Sequence, residues 1–233
     1  MQDPGAAIVI PARDIRDRLT DAATRLATDR GYEALRAEAI AEAAGLSIED
    51  FRRHFDGESQ CLLAAYDRFI ERLLDHVEEA SAAVDSWPEK VKVTIEAGFQ
   101  FVCELEPVAR MFAVESVRIG PAAIHRRLRS IDRAARVLER GRSIYPTTEG
   151  MPSTTERTLV AGVVAIAAQH LLAEEASDLS RIEVEAVEMV LRPYVGPAEA
   201  RSVAARSPGA DRDPAERATT RRVLTGEAGS ESA

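Results

Sequence analysis

Apolar residues along this chain recur every three or four positions, and no segment alternates in steps of two, so the pattern predicts helices throughout. A first helix follows Pro11, carries Ile15, Leu19, Ala22 and Leu26 on one face, and stops at Gly31. A second covers 36–44, Gly45 and Leu46 form a turn, and a third covers 47–55. The third opens on Ser47-Ile48-Glu49-Asp50, a capping box that sets an acid on a helix N-terminus. A long amphipathic helix follows over 59–84, with Leu62, Tyr66, Phe69, Leu73 and Val77 in register. Three more helices open near Pro88, Pro107 and Pro121, where a missing N–H costs nothing. After a Pro/Gly/Thr-rich loop at 142–152, Ser153 to Glu156 and Ser180 to Glu183 read as two further capping boxes. They open a helix reaching residue 175 and a last one reaching Pro193. Past Gly196 the chain turns polar, with Pro197, Pro208 and Pro214, and reads as a disordered tail over 197–233.

Composition changes this picture little. The 233 residues are 45% apolar and contain no run long enough to span a membrane. Residues 1–11 lack the basic start and long apolar stretch of a secretory signal, so a cytoplasmic protein is expected. Cys61 and Cys103 stand apart without metal-ligand partners and read as two buried thiols. The four histidines are scattered, and no Ser-His-Asp set, glycine-rich phosphate loop or paired carboxylates occur, which argues against an enzyme, a cofactor or a metal site. The net charge of −9 argues against nucleic acid at first sight, but a sum over the chain hides local surfaces.

Within 40–55, Ala41 allows two helices to cross closely, Gly45 can take positive φ at the turn, and Phe51 points back as an apolar anchor. That spacing is what a helix-turn-helix needs, with a generic helical hairpin as the alternative. The surrounding residues separate the two. Gly31-Tyr32, the run from Ile40 to Ser47, His54-Phe55, and Leu62-Leu63-Ala64-Ala65-Tyr66 together resemble the N-terminal domain of the TetR family of transcription regulators over 13–66. The resemblance implies an all-α fold, with a three-helix DNA-binding domain at 11–57 and a six-helix effector-binding and dimerisation bundle at 58–196. It implies a regulator, by family default a repressor, that binds a palindromic double-stranded operator as a homodimer and is released by a small apolar or amphipathic effector. The chain departs from the family at Leu35 and Arg36, where Thr and then Ser or Thr usually cap the second helix. It departs again at Glu49, Asp50 and Arg52, and at Glu58, where a phosphate-facing Lys is common. Residues 11–55 hold eight Arg against nine acids, so the alternative is a helical ligand-binding or scaffold protein with weak or lost DNA binding.

If the third helix reads DNA, Ser47, Ile48 and Glu49 stand at its start, with Ile48 and Glu49 meeting base edges, where a carboxylate accepts from cytosine and an aliphatic tip meets a thymine methyl. Arg52 and His54 go to phosphates, Arg53 to a phosphate or a guanine, and Arg36 to the backbone. Phe99, Cys103, Met111 and Phe112 are candidate walls of an effector pocket, with Glu115 and His125 fixing a polar end. Leu159, Val163, Ile166 and His170, facing Ile182, Ala186, Met189 and Val190, are candidates for a four-helix dimer interface or for an intramolecular core.

Overall fold

The computed structural model describes residues 12–172 and 179–206, with side chains for all of these except 12–13, 115–118 and 179–180. Among the described residues there are ten α-helices and no strand: α1 (Ala12–Arg30), α2 (Ala37–Ala43), α3 (Ile48–His54), α4 (Glu58–Ser81), α5 (Trp87–Glu104), α6 (Glu106–Ile119), α7 (Pro121–Ile144), α8 (Thr155–Leu172), α9 (Leu179–Val195) and α10 (Pro197–Ala204). Prolines in the first turn of α5, α6, α7 and α10 start four of them.

Two apolar cores hold these helices. The first gathers Leu19, Ala22 and Ala23 of α1, Ile40 and Ala41 of α2, Phe51 of α3, and Leu62 and Tyr66 of α4. Met111 and Phe112 of α6 complete it. Phe112 lies edge-on to Tyr66 at 5.4 Å and meets Phe69 at 5.2 Å. The two residues expected to line a pocket therefore join α6 to the N-terminal helices. The boundary expected at 57/58 falls just before α4, which serves both regions: its first turns pack on α1 and its later turns on α5.

The second core gathers Trp87 and Val91 of α5, Leu138 of α7, Val187, Val190, Leu191 and Tyr194 of α9, and Ala200, Val203 and Ala204 of α10. The polar tail expected from 197 thus begins with a helix. Ala200, Val203 and Ala204 recur at three- and four-residue spacing, too few apolar positions to stand out beside Pro197 and the flanking arginines. Residues 207–233, including a helical turn expected near 215–224, lie outside the described ones. Pro193 does not end α9, which runs to Val195 at the cost of one hydrogen bond in its last turn.

At the foot of this core, Glu156 is 2% exposed and accepts from Arg142 at 2.6 and 2.8 Å and from the Tyr194 hydroxyl at 3.1 Å. Arg142 also donates to the carbonyls of Met151 and Pro152. The capping box expected at Ser153–Glu156 is replaced by this inward clamp of α7, α8 and α9. Burial alone would raise the Glu156 carboxyl; hydrogen bonds from Arg142, the backbone and Tyr194, together with the Arg142 charge, outweigh it and hold it below the usual range. Gly141 sits against the clamp because an added Cβ would fall 2.5 Å from the Trp87 ring.

Candidate nucleic-acid interface and ligand cavity

α3 is held by its first and last residues. The Ser47 hydroxyl accepts from the Asp50 N–H at 3.1 Å, and the Asp50 carboxylate accepts from the Ser47 N–H at 3.1 Å and hydroxyl at 2.7 Å. The expected capping box is thus formed, and these Ser47 bonds hold the Asp50 carboxyl below the usual range. Phe51 is buried, Phe55 packs beside it with ring centroids 5.8 Å apart, and the Arg16 guanidinium lies 4.4 Å over the Phe55 ring. Gly45 takes φ +64° at the turn, and Arg18 donates to the carbonyls of Ala44 and Gly45 at 2.6 and 3.3 Å. A Cβ there would combine strained backbone with a 3.2 Å approach to Arg18.

With Phe51 and Phe55 turned inward, Ser47, Glu49, Arg52 and Arg53 are exposed, and Ile48 and His54 are half-buried. Arg53 is paired with Asp50, and Arg52 stands 3.8 Å from Glu38 of α2 with both side chains about two-thirds exposed. The His54 ring bonds back to the Asp50 carbonyl at 2.8 Å. Arg36 is exposed at the N-cap of α2 and donates to the Glu33 and Leu35 carbonyls. Arg16, Arg18 and Arg25 are likewise spent on carbonyls of the motif, at His54, Ala44 and Ala43. The arginines of this domain therefore work first as struts.

Glu58 was legible only as a departure from a pattern, and the structure gives it a task. Its carboxylate accepts from the Ala37 N–H at 2.9 Å, capping α2 where Arg36 supplies no side-chain cap. Nearby, the Tyr32 hydroxyl meets that of Ser59 at 2.5 Å, binding the α1–α2 connection to α4. Glu58→Ala is expected to lower stability by about 1 kcal/mol, the loss of one N-cap. Urea denaturation would check this, and a variant as stable as wild type would show that the cap contributes nothing.

A cavity of ≈ 470 Å³ lies between α4, α5, α7 and α8. Leu73, Val77, Ile95, Phe99, Val137 and Val164 are among its apolar walls, with Lys90, Thr94, Arg133 and Arg140 as polar groups. Of the six candidate pocket residues, Phe99 lines it. Met111 and Phe112 are in the first core, Cys103 and His125 are exposed, and the Glu115 side chain lies outside the described ones. The expectation of two buried thiols holds for Cys61, whose pKa burial pushes up to about 12, and fails for Cys103. The missed walls sit on the same apolar stripes read as ordinary core, and a helix pattern does not say where packing leaves a gap.

α8 is apolar almost all round, yet from Leu159 to Ala168 none of its side chains is fully buried. Leu159, Val163, Ile166, His170, Ile182 and Met189 are all half-buried; Leu159, Val163 and Met189 pack on the second core, and Ile182 packs against Phe99 and Ala186. Ala186 and Val190 are 0% and 2% exposed within one chain and cannot meet a second copy. The α9 residues on the open side include Val184, 43% exposed. The capping box expected at Ser180 falls on a side chain outside the described ones.

Residues 19–65 match the sequence profile of the bacterial regulatory proteins of the tetR family. Over these residues the chain is similar to the DNA-binding domain of the TetR family. The chain is also similar, over part of its length, to two curated proteins of Mycolicibacterium smegmatis. The HTH-type transcriptional activator FasR is 29% identical over 93 residues, 40% of this chain and 42% of that protein. The HTH-type transcriptional repressor KstR is 32% identical over 71 residues, 30% of this chain and 35% of that protein. The chain thus spans well under half the length of either. Over most of the chain, the fold resembles FadR from Bacillus subtilis in complex with stearoyl-CoA, with a TM-score of 0.64 at 16% identity, covering 77% of this chain and 98% of that one. It also resembles RolR in complex with resorcinol, with a TM-score of 0.61 at 20% identity, covering 84% and 95%. At these identities the likeness establishes the all-α TetR fold. Among the described residues no helix is long and apolar enough to cross a membrane.

Proposed function

We propose that this protein is a DNA-binding transcription regulator that lays α3 into the major groove, acts as a homodimer on a palindromic operator, and responds to a small, largely apolar effector in the cavity. The observation that carries the reading is the orientation of α3. Phe51 is turned into the core, while Ser47, Glu49, Arg52 and Arg53 face solvent together at the free side of a TetR-family motif. Ile48 and Glu49 meet base edges, Arg52 and His54 meet phosphates, Arg53 meets a phosphate or a guanine, and Arg36 holds the backbone.

Dimerisation is supported by α8, whose apolar residues remain half-exposed in one chain, as expected of a helix that packs against a second copy. Ile166, His170, Ile182 and Met189 form the contact, with Val184 at its edge. An effector in the cavity acts by favouring one spacing of the two reading heads over another. Its route to α3 is α6, whose Met111 and Phe112 lie in the core that seats the motif. Repression, with release by the effector, is the reading adopted; FasR, named an activator, marks the opposite sign as the outcome that reporter assays would distinguish. The protein acts in the cytoplasm, where its DNA lies.

Arg52 is the residue on α3 whose charge is least committed within the fold. Arg52→Ala is expected to weaken binding to any duplex and to lower the slope of log affinity against log salt by about one unit. An unchanged slope in a fluorescence-anisotropy salt titration would remove Arg52 from the phosphate contacts.

A further inference from the structure

α4 and α7 run side by side in the same direction. Asp67 of α4 accepts from Arg126 of α7 at 2.8 Å, and further along Leu74 and Glu78 line the cavity together with Arg133 and Arg140. Beyond the Asp67–Arg126 pair each helix carries a charged row. On α4 the acids Glu71, Asp75 and Glu78 are spaced by four and three residues. On α7 the arginines Arg129, Arg133, Arg136 and Arg140 are spaced by four, three and four. Such spacings keep each row within about 60° of arc on its helix. All of these residues are exposed, and none makes an ion pair or side-chain hydrogen bond among the described residues. Local charges do not neutralise the rows: Arg72 lies about 100° round α4 from Glu71, Glu139 as far round α7 from Arg140, and Asp132 pairs with Arg157 of α8.

The two rows stand in register. Glu71, Asp75 and Glu78 lie four, eight and eleven residues past Asp67, while Arg129, Arg133 and Arg136 lie three, seven and ten past Arg126. Their levels therefore match to within one residue, about 1.5 Å of rise. Both rows border the same cavity opening, through Glu78 on one side and Arg133 and Arg140 on the other. A second copy turned by 180° about an axis parallel to these helices keeps every level and exchanges the two sides. It then presents arginines to acids: Glu71 faces Arg129, Asp75 faces Arg133 and Glu78 faces Arg136 of the second copy, and the twofold repeats these pairs. A twofold axis running across the helices would set acids on acids. The surface is thus self-complementary in one arrangement, as an isologous contact requires.

We infer that copies of this chain associate side by side through α4 and α7, each acid row lying on the other copy's arginine row. One exposed ion pair contributes little, so the contact depends on several pairs forming together and is sensitive to salt. The net charge of −9 opposes association at long range, and salt of about 50 mM screens it beyond about 14 Å while leaving charges in contact nearly unscreened. The axis preserves the direction of α4, whose first turns pack on the N-terminal core, so both copies carry α3 at the same end. The contact is separate from the α8 face and does not depend on the reading of α3. Where α3 reads DNA, it sets neighbouring reading heads in one row, as adjacent sites on one duplex require.

The test is sedimentation velocity of the full-length protein at about 50 mM and about 500 mM salt. The wild-type particle is expected to at least double in mass at the lower salt, and its association to weaken by about tenfold or more at the higher. Two double variants carry the decision: Arg129→Glu with Arg133→Glu, and Glu71→Arg with Asp75→Arg. Each sets like charges against each other between identical copies, so each alone should keep its high-salt mass at low salt. An equimolar mixture of the two restores opposite charges at every level and should recover the wild-type low-salt mass. All four side chains lack partners in the fold, so both variants should keep the wild-type helical signal. One mass for wild type at both salts would overturn the inference. So would undiminished association of either variant alone, or failure of the mixture to recover it. Loss of DNA binding by the arginine variant with association intact would make the row a DNA contact and overturn it too. Salt-sensitive association rescued by mixing, without any DNA binding, supports this contact and defeats the regulator; DNA binding by a protein of constant mass does the reverse.

Discussion

Truncating Phe51 to alanine is expected to cost about 3–5 kcal/mol and to abolish detectable DNA binding. Phe51 is 1% exposed and is the one buried side chain of α3, so the helix has no other anchor of comparable size. Its ring packs beside Phe55, which in turn carries the Arg16 guanidinium on its face. Removing it opens a cavity under α3 and frees the helix to shift relative to Ala41 and Gly45, where the close crossing sets its angle. Phe51→Leu keeps most of the volume and should cost about 1 kcal/mol and retain DNA binding. Urea denaturation and anisotropy with duplex DNA would measure both quantities on the same preparations. Wild-type affinity in Phe51→Ala would mean that α3 is seated by something other than its core side chain.

The second large effect is expected at Glu156. Glu156→Ala should destabilise the protein by about 3 kcal/mol, since it leaves the Tyr194 hydroxyl buried without its partner and Arg142 without its carboxylate. The lower end of the range for broken buried pairs applies because Arg142 keeps 31% of its side chain in water. The same residue makes a pH prediction. A carboxyl depressed in the folded state contributes stability that is present above its unfolded pKa and is lost as pH falls through the folded one. The contribution should therefore be complete at neutral pH and erode below about pH 4.5, the ordinary glutamate value. Glu156→Gln, which cannot ionise, should be less stable at neutral pH and should lack that part of the acid loss. Parallel acid-loss curves for the two proteins would show that Glu156 does not contribute to it.

These two residues mark how far the chain could be read from its residues alone. Phe51 was readable because its role follows from local spacing: a small residue, a glycine and an apolar anchor lie within eleven positions of one another. Ser47 and Asp50 were readable for the same reason, since a capping box closes over four residues. Glu156 misled, because Ser-Thr-Thr-Glu has the form of a capping box, while its partners Arg142 and Tyr194 come from other helices. Glu58 was seen only as a missing lysine; its bond to Ala37 spans twenty-one residues, and nothing local announces it. Met111 and Phe112 had the right chemistry for a pocket wall, but the fold of α6 onto α1 and α4 sends them into the N-terminal core. Ala186 and Val190 had the right period for an interface, but a period cannot tell the inner face of α9 from the outer. The α10 helix was hidden by its length and its proline.

The central claim is that α3 reads DNA in spite of a domain whose arginines are largely committed to the fold. It is tested most directly by incubating the purified full-length protein with random genomic fragments at low salt and sequencing what is retained, with wild type and Phe51→Ala in parallel. The account predicts that wild type enriches one palindromic sequence, with half-sites about one helical turn apart, and that Phe51→Ala enriches none. No enrichment by wild type at low salt would contradict it and leave a helical ligand-binding protein of the same fold.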